Sequence, residues 1–333
     1  MTLPPSPLAF TPILKRIIWG GRKLGERLGK PIGDERDYAE SWDLVDRADD
    51  QSVVADGPLA GWSIQQLVTR YGSELLGKHA GIASFPLLLK YLDCQRVLSV
   101  QVHPDDSYAR KMPKPDLGKT EAWYIVDAAP HSLIYAGLRE GVDREALAAA
   151  IAAGRTEDVL HSFHPTAGQC LFIPAGTVHA LGDGLLVAEV QQSSDTTFRL
   201  FDWNRVDSNG KARELHIDQA LDVTDYSRGP VHPQVPTKCQ DGWLSLVDCD
   251  KFRLRQAKFE FLGPNDFPIA DQNSPVVLMV ISGKAEVHGK RWEPRSMSAG
   301  QTVLLPANAG EASVRLFGQE TSVLEIRLPS IPR

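Results

Sequence analysis

Apolar residues along this chain come in short stretches that stop at Gly, Pro or Asp, as in FPLLLKYLD (85–93), LSVQVHPDD (98–106), TEAWYIV (120–126), LLVAEVQ (185–191) and VVLMVIS (276–282). Short apolar or alternating runs bounded by turn formers predict strands, so the expected architecture is mainly β. Two segments carry a helical period instead. Over 63–78, Ile64, Leu67, Val68, Tyr71 and Leu75 recur at helical spacing behind a Ser63-x-x-Gln66 capping box. Over 142–163, Asp143 caps an alanine-rich run that stops at Gly154, and Arg155–His161 reads as a second short helix. Both lie in the N-terminal half and are expected as helical insertions beside a β core.

The chain also echoes itself. Ala167-Gly-Gln-Cys-Leu-Phe-Ile-Pro-Ala175 matches Ala299-Gly-Gln-Thr-Val-Leu-Leu-Pro-Ala307, each a turn, an apolar strand and Pro-Ala. Strand-rich sequence precedes both copies, Trp123 to Gly137 and Val276 to His288, as expected if one β module occurs twice. Continuing the register sets His179 opposite Glu311, so chemistry resting on that histidine belongs to the first module. Pro230, Pro233 and Pro236 mark a connection, with a boundary near 225–242 and modules over 1–235 and 236–333.

Composition narrows the function. Of 333 residues, 36 are Lys or Arg and 42 Asp or Glu, a net charge of -6, so no basic excess exists to meet a nucleic-acid backbone. No apolar stretch approaches the ~20 residues of a membrane helix, so no membrane association is expected. The first 21 residues are proline-rich and place Lys15 and Arg16 after the apolar positions, the reverse of a secretory leader, which suggests a cytoplasmic protein. Cys94, Cys170, Cys239 and Cys249 stand far apart without a CxxC pair and are expected to be reduced and buried.

Candidate chemistry concentrates in four motifs. Gln101 and His103 are two apart in a strand-like stretch and project to one face; Lys119 and Glu121 repeat that geometry in GKTEAWYIV. His179 follows a Pro-Ala-Gly turn. Gln101, His103, Glu121 and His179 together make a nitrogen-and-oxygen set suited to a first-row divalent metal, zinc favoured, iron or manganese also compatible. A lone histidine is more often a core or surface residue, and His79, His131, His161, His164, His216, His232 and His288 are read that way. Glu189 and Gln191 share a face of an apolar strand, as do Thr197 and Arg199; a buried charge is expensive unless paired, so such positions tend to face a polar cavity, an exposed strand edge being the alternative. Lys90 closes the run FPLLLK, where lysines are most often solvated. Gly118-Lys119-Thr120 is no P-loop, because Pro113 replaces the first glycine and a strand follows; IWGGRKLG lacks dinucleotide-loop spacing, and no GxSxG elbow occurs.

Assembled in this order, the motifs resemble the type I mannose-6-phosphate isomerases of the cupin superfamily, particularly the short bacterial form. The likeness rests on WGG (19–21), ESW (40–42), FPLLLKYLD, LSVQVHPDD, GKTEAWYI (118–125), IPAGTVHAL (173–181) and EVQQSSDTTFRLFDW (189–203). It implies a double cupin, two jelly-roll β-barrels, with a metal-free C-terminal copy. It implies one zinc per chain held by Gln101, His103, Glu121 and His179, the glutamine being the least uniform ligand in the family. Arg199 matches the catalytic arginine, Lys90, Ser99 and Lys119 match residues near the substrate phosphate or sugar, and Glu189 matches a substrate-side carboxylate.

The implied reaction interconverts mannose 6-phosphate and fructose 6-phosphate by proton transfer through a cis-enediol. Lys90 and Lys119 would meet the phosphate as point charges, with Ser99 donating a hydrogen bond and Arg199 supporting enediolate charge. Glu189, Lys119 and a water on the metal stand open as the base. The partner is then a small sugar phosphate, and the protein a monomer or weak homo-oligomer. The rival readings are another metal-dependent cupin activity, an iron oxygenase or epimerase, and a non-catalytic sugar-phosphate-binding regulator.

Overall fold

In a computed structural model, which describes residues 2–206, 210–261, 265–269 and 273–329, the chain is mainly β. Its strands pair antiparallel in three sheets. A six-stranded sheet runs in the order Cys170–Ile173, Glu121–Ala128, Leu185–Gln192, Leu87–Cys94, Tyr38–Leu44, Ile13–Gly21. A five-stranded sheet holds Phe198–Phe201, Val100–Val102, His179–Leu181, Ile134–Leu138 and Leu160–Phe163. The third sheet carries Thr302–Leu305, Val276–Gly289, Ala312–Arg327, Arg253–Lys258, Leu244–Asp248 and Thr237–Lys238 along its path, and Leu8–Thr11 joins it beside Thr302–Leu305. None of the three closes on itself by hydrogen bonding, so closed barrels are not what these strands form. The six- and five-stranded sheets instead meet through side chains, sharing an apolar layer of Trp123, Ile125, Leu92, Leu185 and Val187 against Ile134, Ala136 and Leu181.

Strand periodicity divides the six-stranded sheet into two faces. Leu89, Tyr91, Ala122, Tyr124, Ala188 and Val190 enter a large core with Ile64, Leu67, Tyr71 and Leu75 of the predicted helix. That helix spans Ile64–Leu76 and has the expected box, Gln66 N donating to Ser63 Oγ at 3.2 Å and Ser63 N to Gln66 Oε1 at 2.8 Å. The second helical segment differs in its end. Asp143 caps Arg144–Ala152 and Gly154 turns the chain at φ +66°, but only Thr156–Val159 forms a 3-10 turn before Leu160–Phe163 continues as a strand. Leu160 is fully buried and pairs with Leu138, and sheet pairing there overrides local helix propensity. Short helices at Lys23–Leu28, Asp106–Ala109 and Ile217–Val223 have too few turns to print a period on the sequence. All four cysteines are free; Cys94 and Cys170 are buried as expected, whereas Cys239 and Cys249 are only half-buried.

The echo is a repeated piece of structure. Gly168 and Gly300 both turn at positive φ, +89° and +80°. Gln169 Oε1 accepts from Thr166 N at 2.9 Å, and Gln301 Oε1 from Ser298 N at 2.8 Å. Gln169 O accepts from Ile125 N, and Gln301 O from Val280 N. The neighbouring strands then follow the same order in both halves. Equivalent registers set Glu121 against Ile173 and Val276 against Leu305, and pair Lys90 with Glu189 where Arg255 pairs with Glu325.

One buried acid strains this arrangement. Asp93 is fully buried at the end of its strand and accepts from Lys23 N at 2.6 Å, while its Oδ1 has no hydrogen-bond partner. Burial pushes its carboxyl up to about 6. With the folded-state value above the unfolded one, the protonated form favours folding, and that stability is lost as pH rises from about 4 through about 6. Asp93→Asn is therefore expected to stabilise the protein near neutral pH by on the order of 2 kcal/mol, with the gain vanishing near pH 4; thermal midpoints across that range check it.

Candidate metal centre and sugar-phosphate site

At one end of the shared apolar layer the same strand faces turn polar. Glu121 opens its strand, opposite Ile173 on one side and Gln191 on the other. His103 directly follows Val100–Val102, and His179 begins His179–Leu181, paired with Gln101. Three elements thus converge. The ligand atoms of His103, Glu121 and His179 lie within 4.8 Å of one another, all buried, the one such group among the described residues. His103 Nε2 is 3.6 Å from Glu121 Oε2, and His179 Nε2 is 3.5 Å from Glu121 Oε1.

Backbone carbonyls set both rings. His103 Nδ1–H donates to Thr196 O at 3.0 Å and His179 Nδ1–H to Thr177 O at 2.8 Å, so each ring turns Nε2 toward the carboxylate. Burial and the Lys119 ammonium push the His103 imidazole well below its ordinary value and His179 to about 3, which keeps both neutral as ligands must be. Burial raises the Glu121 carboxyl against the pull of Lys119. His179 Nε2 has no hydrogen-bond partner. Two neutral imidazoles, one of them with its Nε2 orphaned, and a carboxylate fit a divalent cation. Lys119 supplies positive charge there, donating to Glu121 and reaching His103 Nε2 at 2.9 Å. Gln101, half-buried beside His179, lines the adjoining cavity, where its amide is the fourth expected donor.

That cavity has a volume of about 360 Å³, in the range of small-molecule sites. Lys90, Ser99, Gln101, Lys119, Glu121, Glu189 and Arg199, all expected from sequence, line it together. Lys90 departs from its expectation: it lies inside Leu87–Cys94, buried, 3.3 Å from both Glu189 and Glu40. Burial lowers its ammonium, but Glu189, Glu40 and Glu121 outweigh that and raise it. Burial likewise raises Glu189, which Lys90 and Lys119 outweigh, holding it below the ordinary carboxylate value. Glu189 Oε1 and Trp123 Nε1 nevertheless have no well-formed hydrogen bond within the chain.

The charge differs at the side of Arg199. Its Nε donates to Ser99 Oγ at 3.1 Å, and its backbone is held by His216, which donates N–H to Arg199 O at 2.7 Å. Burial and the neighbouring Arg213 lower its guanidinium. Arg213 also lines the cavity and escaped sequence reasoning, because KARELH reads as a solvated charge run. Glu40 and Trp42 were visible only as part of a motif without a role; the fold brings both to Lys90, with Lys90 Nζ 5.9 Å from the Trp42 ring centre.

Fold and site therefore define a mainly β protein with a buried two-histidine, one-carboxylate centre beside a cavity lined by four basic and four acidic side chains. Comparison with known proteins places it: residues 8–127 match the phosphomannose isomerase type I catalytic domain. The chain is 35% identical to the mannose-6-phosphate isomerase of Bacillus subtilis across 94% of this chain and 97% of that one, and 38% identical to the mannose-6-phosphate isomerase of Streptococcus mutans across 76% of each. It superposes on a crystal structure of the Bacillus subtilis enzyme with a TM-score of 0.85 at 29% identity, covering 96% and 99% of the two chains. A phosphomannose isomerase from Salmonella typhimurium shares the fold at 15% identity, with a TM-score of 0.80 and coverage of 98% and 100%. The chain belongs to the type I mannose-6-phosphate isomerase family.

If these side chains are the ligands, His179→Ala should weaken binding of a divalent metal by more than the ~10- to 100-fold that loss of an outer partner costs. Competition with a chromophoric chelator measures this, and wild-type affinity in the variant would remove His179 from the centre.

Proposed function

We propose that the chain is a zinc-dependent aldose-ketose isomerase that interconverts mannose 6-phosphate and fructose 6-phosphate. The observation that carries the reading is that Glu121, one of the three residues of the buried His103–Glu121–His179 group, also lines the cavity that holds the ion-paired Glu189 and the Ser99–Arg199 pair. His103, Glu121, His179 and Gln101 hold one zinc per chain, and when bound it supplies electrostatic stabilisation of charge developing on the substrate oxygens.

The phosphate belongs at Ser99, Arg199 and Arg213, because Lys90 and Lys119 are each held by buried glutamates, Glu40, Glu189 and Glu121, whereas Arg213 stands 3.8 Å from Asp202 and Arg199 meets the neutral Glu214 carbonyl. The two lysines then face the sugar oxygens. With the open-chain aldose so placed, Glu189 takes the proton from carbon 2 while Lys119 protonates the carbonyl oxygen, giving a cis-enediol. Glu189 returns its proton to carbon 1 and Lys119 recovers one from the carbon 2 hydroxyl, giving the ketose; atoms balance without a redox partner. Arg199 supports negative charge on the enediolate oxygens and orients the phosphate.

We read the chain as two cupin modules, 1–235 and 236–333, made of open sheets rather than closed barrels, the first carrying the site and the helical insertions. Among the described residues no helix is long and apolar enough to cross a membrane, and we read the protein as a cytoplasmic monomer or weak homo-oligomer acting on a small sugar phosphate.

A coupled assay for fructose 6-phosphate formed from mannose 6-phosphate tests the reading. Chelation is expected to abolish turnover and zinc to restore it; undiminished rate in a demonstrably metal-free sample would end the metal role. Arg199→Ala is expected to lower kcat/KM by ~10²-fold or more while zinc content is kept.

A further inference from the structure

The second Asp of the VHPDD motif, Asp106, lies outside the cavity and has no part in the chemistry above. The geometry points to Asp106 as a positioning residue for Lys119, charge-matched by Lys251 from the C-terminal half. This rests on the isomerase reading, in which Lys119 moves a proton.

The three backbone N–H groups around Lys119 are each tied down. Gly118 N donates to Asp106 Oδ1 at 2.8 Å, Lys119 N to Pro104 O at 3.0 Å, and Thr120 N to Gln192 Oε1 at 3.1 Å. Gln192 is in turn fixed by Asp106, its Nε2 donating to the same Oδ1 at 3.0 Å. The Asp106 carboxylate thus holds the segment on both sides of Lys119, directly at 118 and through Gln192 at 120. Gly118 is needed for this approach, since a Cβ there would stand 2.4 Å from Asp106 N. The alternation of the strand sends Lys119 and Glu121 into the catalytic cavity and Thr120 to a separate cavity of about 760 Å³, whose wall also includes Asp106, Gln192 and Lys251.

Lys251 Nζ completes the network 2.9 Å from Asp106 Oδ2. It sits on the turn between Leu244–Asp248 and Arg253–Lys258, strands of the sheet that lacks the metal-type group. Burial raises the Asp106 carboxyl, but Lys251, Gly118 N–H and Gln192 outweigh it and hold it ionised, as an acceptor of several hydrogen bonds must be. The metal-free half therefore contributes a charge that keeps a catalytic-half acceptor in place, two links from the reacting atoms. A displaced lysine still leaves the cavity open, so the loss should appear in turnover more than in substrate affinity.

The test uses the full-length zinc-loaded protein. Asp106→Ala is expected to lower kcat by about tenfold to 10²-fold with KM within about twofold, one zinc per chain and a near-native thermal midpoint. Lys251→Met should give a smaller kcat loss that Lys251→Arg restores, and Asp106→Ala/Lys251→Met should be no slower than Asp106→Ala alone. Independently of turnover, hydrogen–deuterium exchange of the peptide spanning 115–125 should quicken in Asp106→Ala and Lys251→Met. Unchanged exchange, unchanged kcat, a kcat loss that tracks zinc or thermal midpoint, or a Lys251→Arg variant as impaired as Lys251→Met would each overturn the tether. If Asp106→Ala fails to fold, the Lys251 pair decides by the same criteria. A wild-type protein with no isomerase activity would instead sink the proposed function, and the exchange data would still judge the tether.

Discussion

Everything at this site depends on the cost of burying charge on one face of a sheet whose neighbouring residues are apolar. Lys90, Glu189 and Glu121 share that face with Leu92, Trp123, Leu185 and Val187. Unpaired, any of the three would carry a desolvation cost of several kcal/mol. They persist because antiparallel register sets Lys90 directly opposite Glu189 and brings Glu40 and Lys119 to the same pair. The result is a compact group of alternating sign, with polar atoms still unsatisfied at Glu189 Oε1 and His179 Nε2.

The C-terminal half shows what the same register does when the cavity is filled. Val276 stands where Glu121 does, and Leu278, Val280, Val303, Met297 and Trp243 pack the space. The equivalent of the Lys90–Glu189 pair survives there as Arg255 and Glu325, closed bidentately at 2.6 and 2.9 Å, with Asp241 accepting a third hydrogen bond at 2.7 Å. A planar guanidinium saturated by two carboxylates leaves little for a substrate to bind, whereas an ammonium shared between glutamates at 3.3 Å does not close the site. Glu311, opposite His179 in the echo, is exposed and pairs with Lys290. One module spends its buried charges on internal closure, the other leaves them facing a cavity, and Lys251 lets the first support the second.

Much of this was legible in sequence. Period and caps located the helix at 64–76 and the start of the one at 144, and the echo of 167–175 in 299–307 foretold a repeated turn and strand, to which the structure adds the same glutamine cap. Spacing of two brought Gln101 beside His103 and Lys119 beside Glu121, because a strand or near-strand has only two faces. The helical expectation over Arg155–His161 failed where pairing with Leu138 outweighed local preference. The roles of Arg213, Glu40 and the Asp106–Lys251 link could not be read from any window, since each acts across 14 to 145 residues of chain.

What the sequence determined by itself, then, was local: which residues alternate, which turn, which are of a type to hold a metal or a phosphate, and that these fall in one half. Only the tertiary structure decided who neutralises whom. Whether Lys90 is a solvated strand end or a buried partner of two glutamates depends on which strands lie beside it, and charge at these depths is governed by neighbours a few ångströms away rather than by a net of -6 spread over the chain.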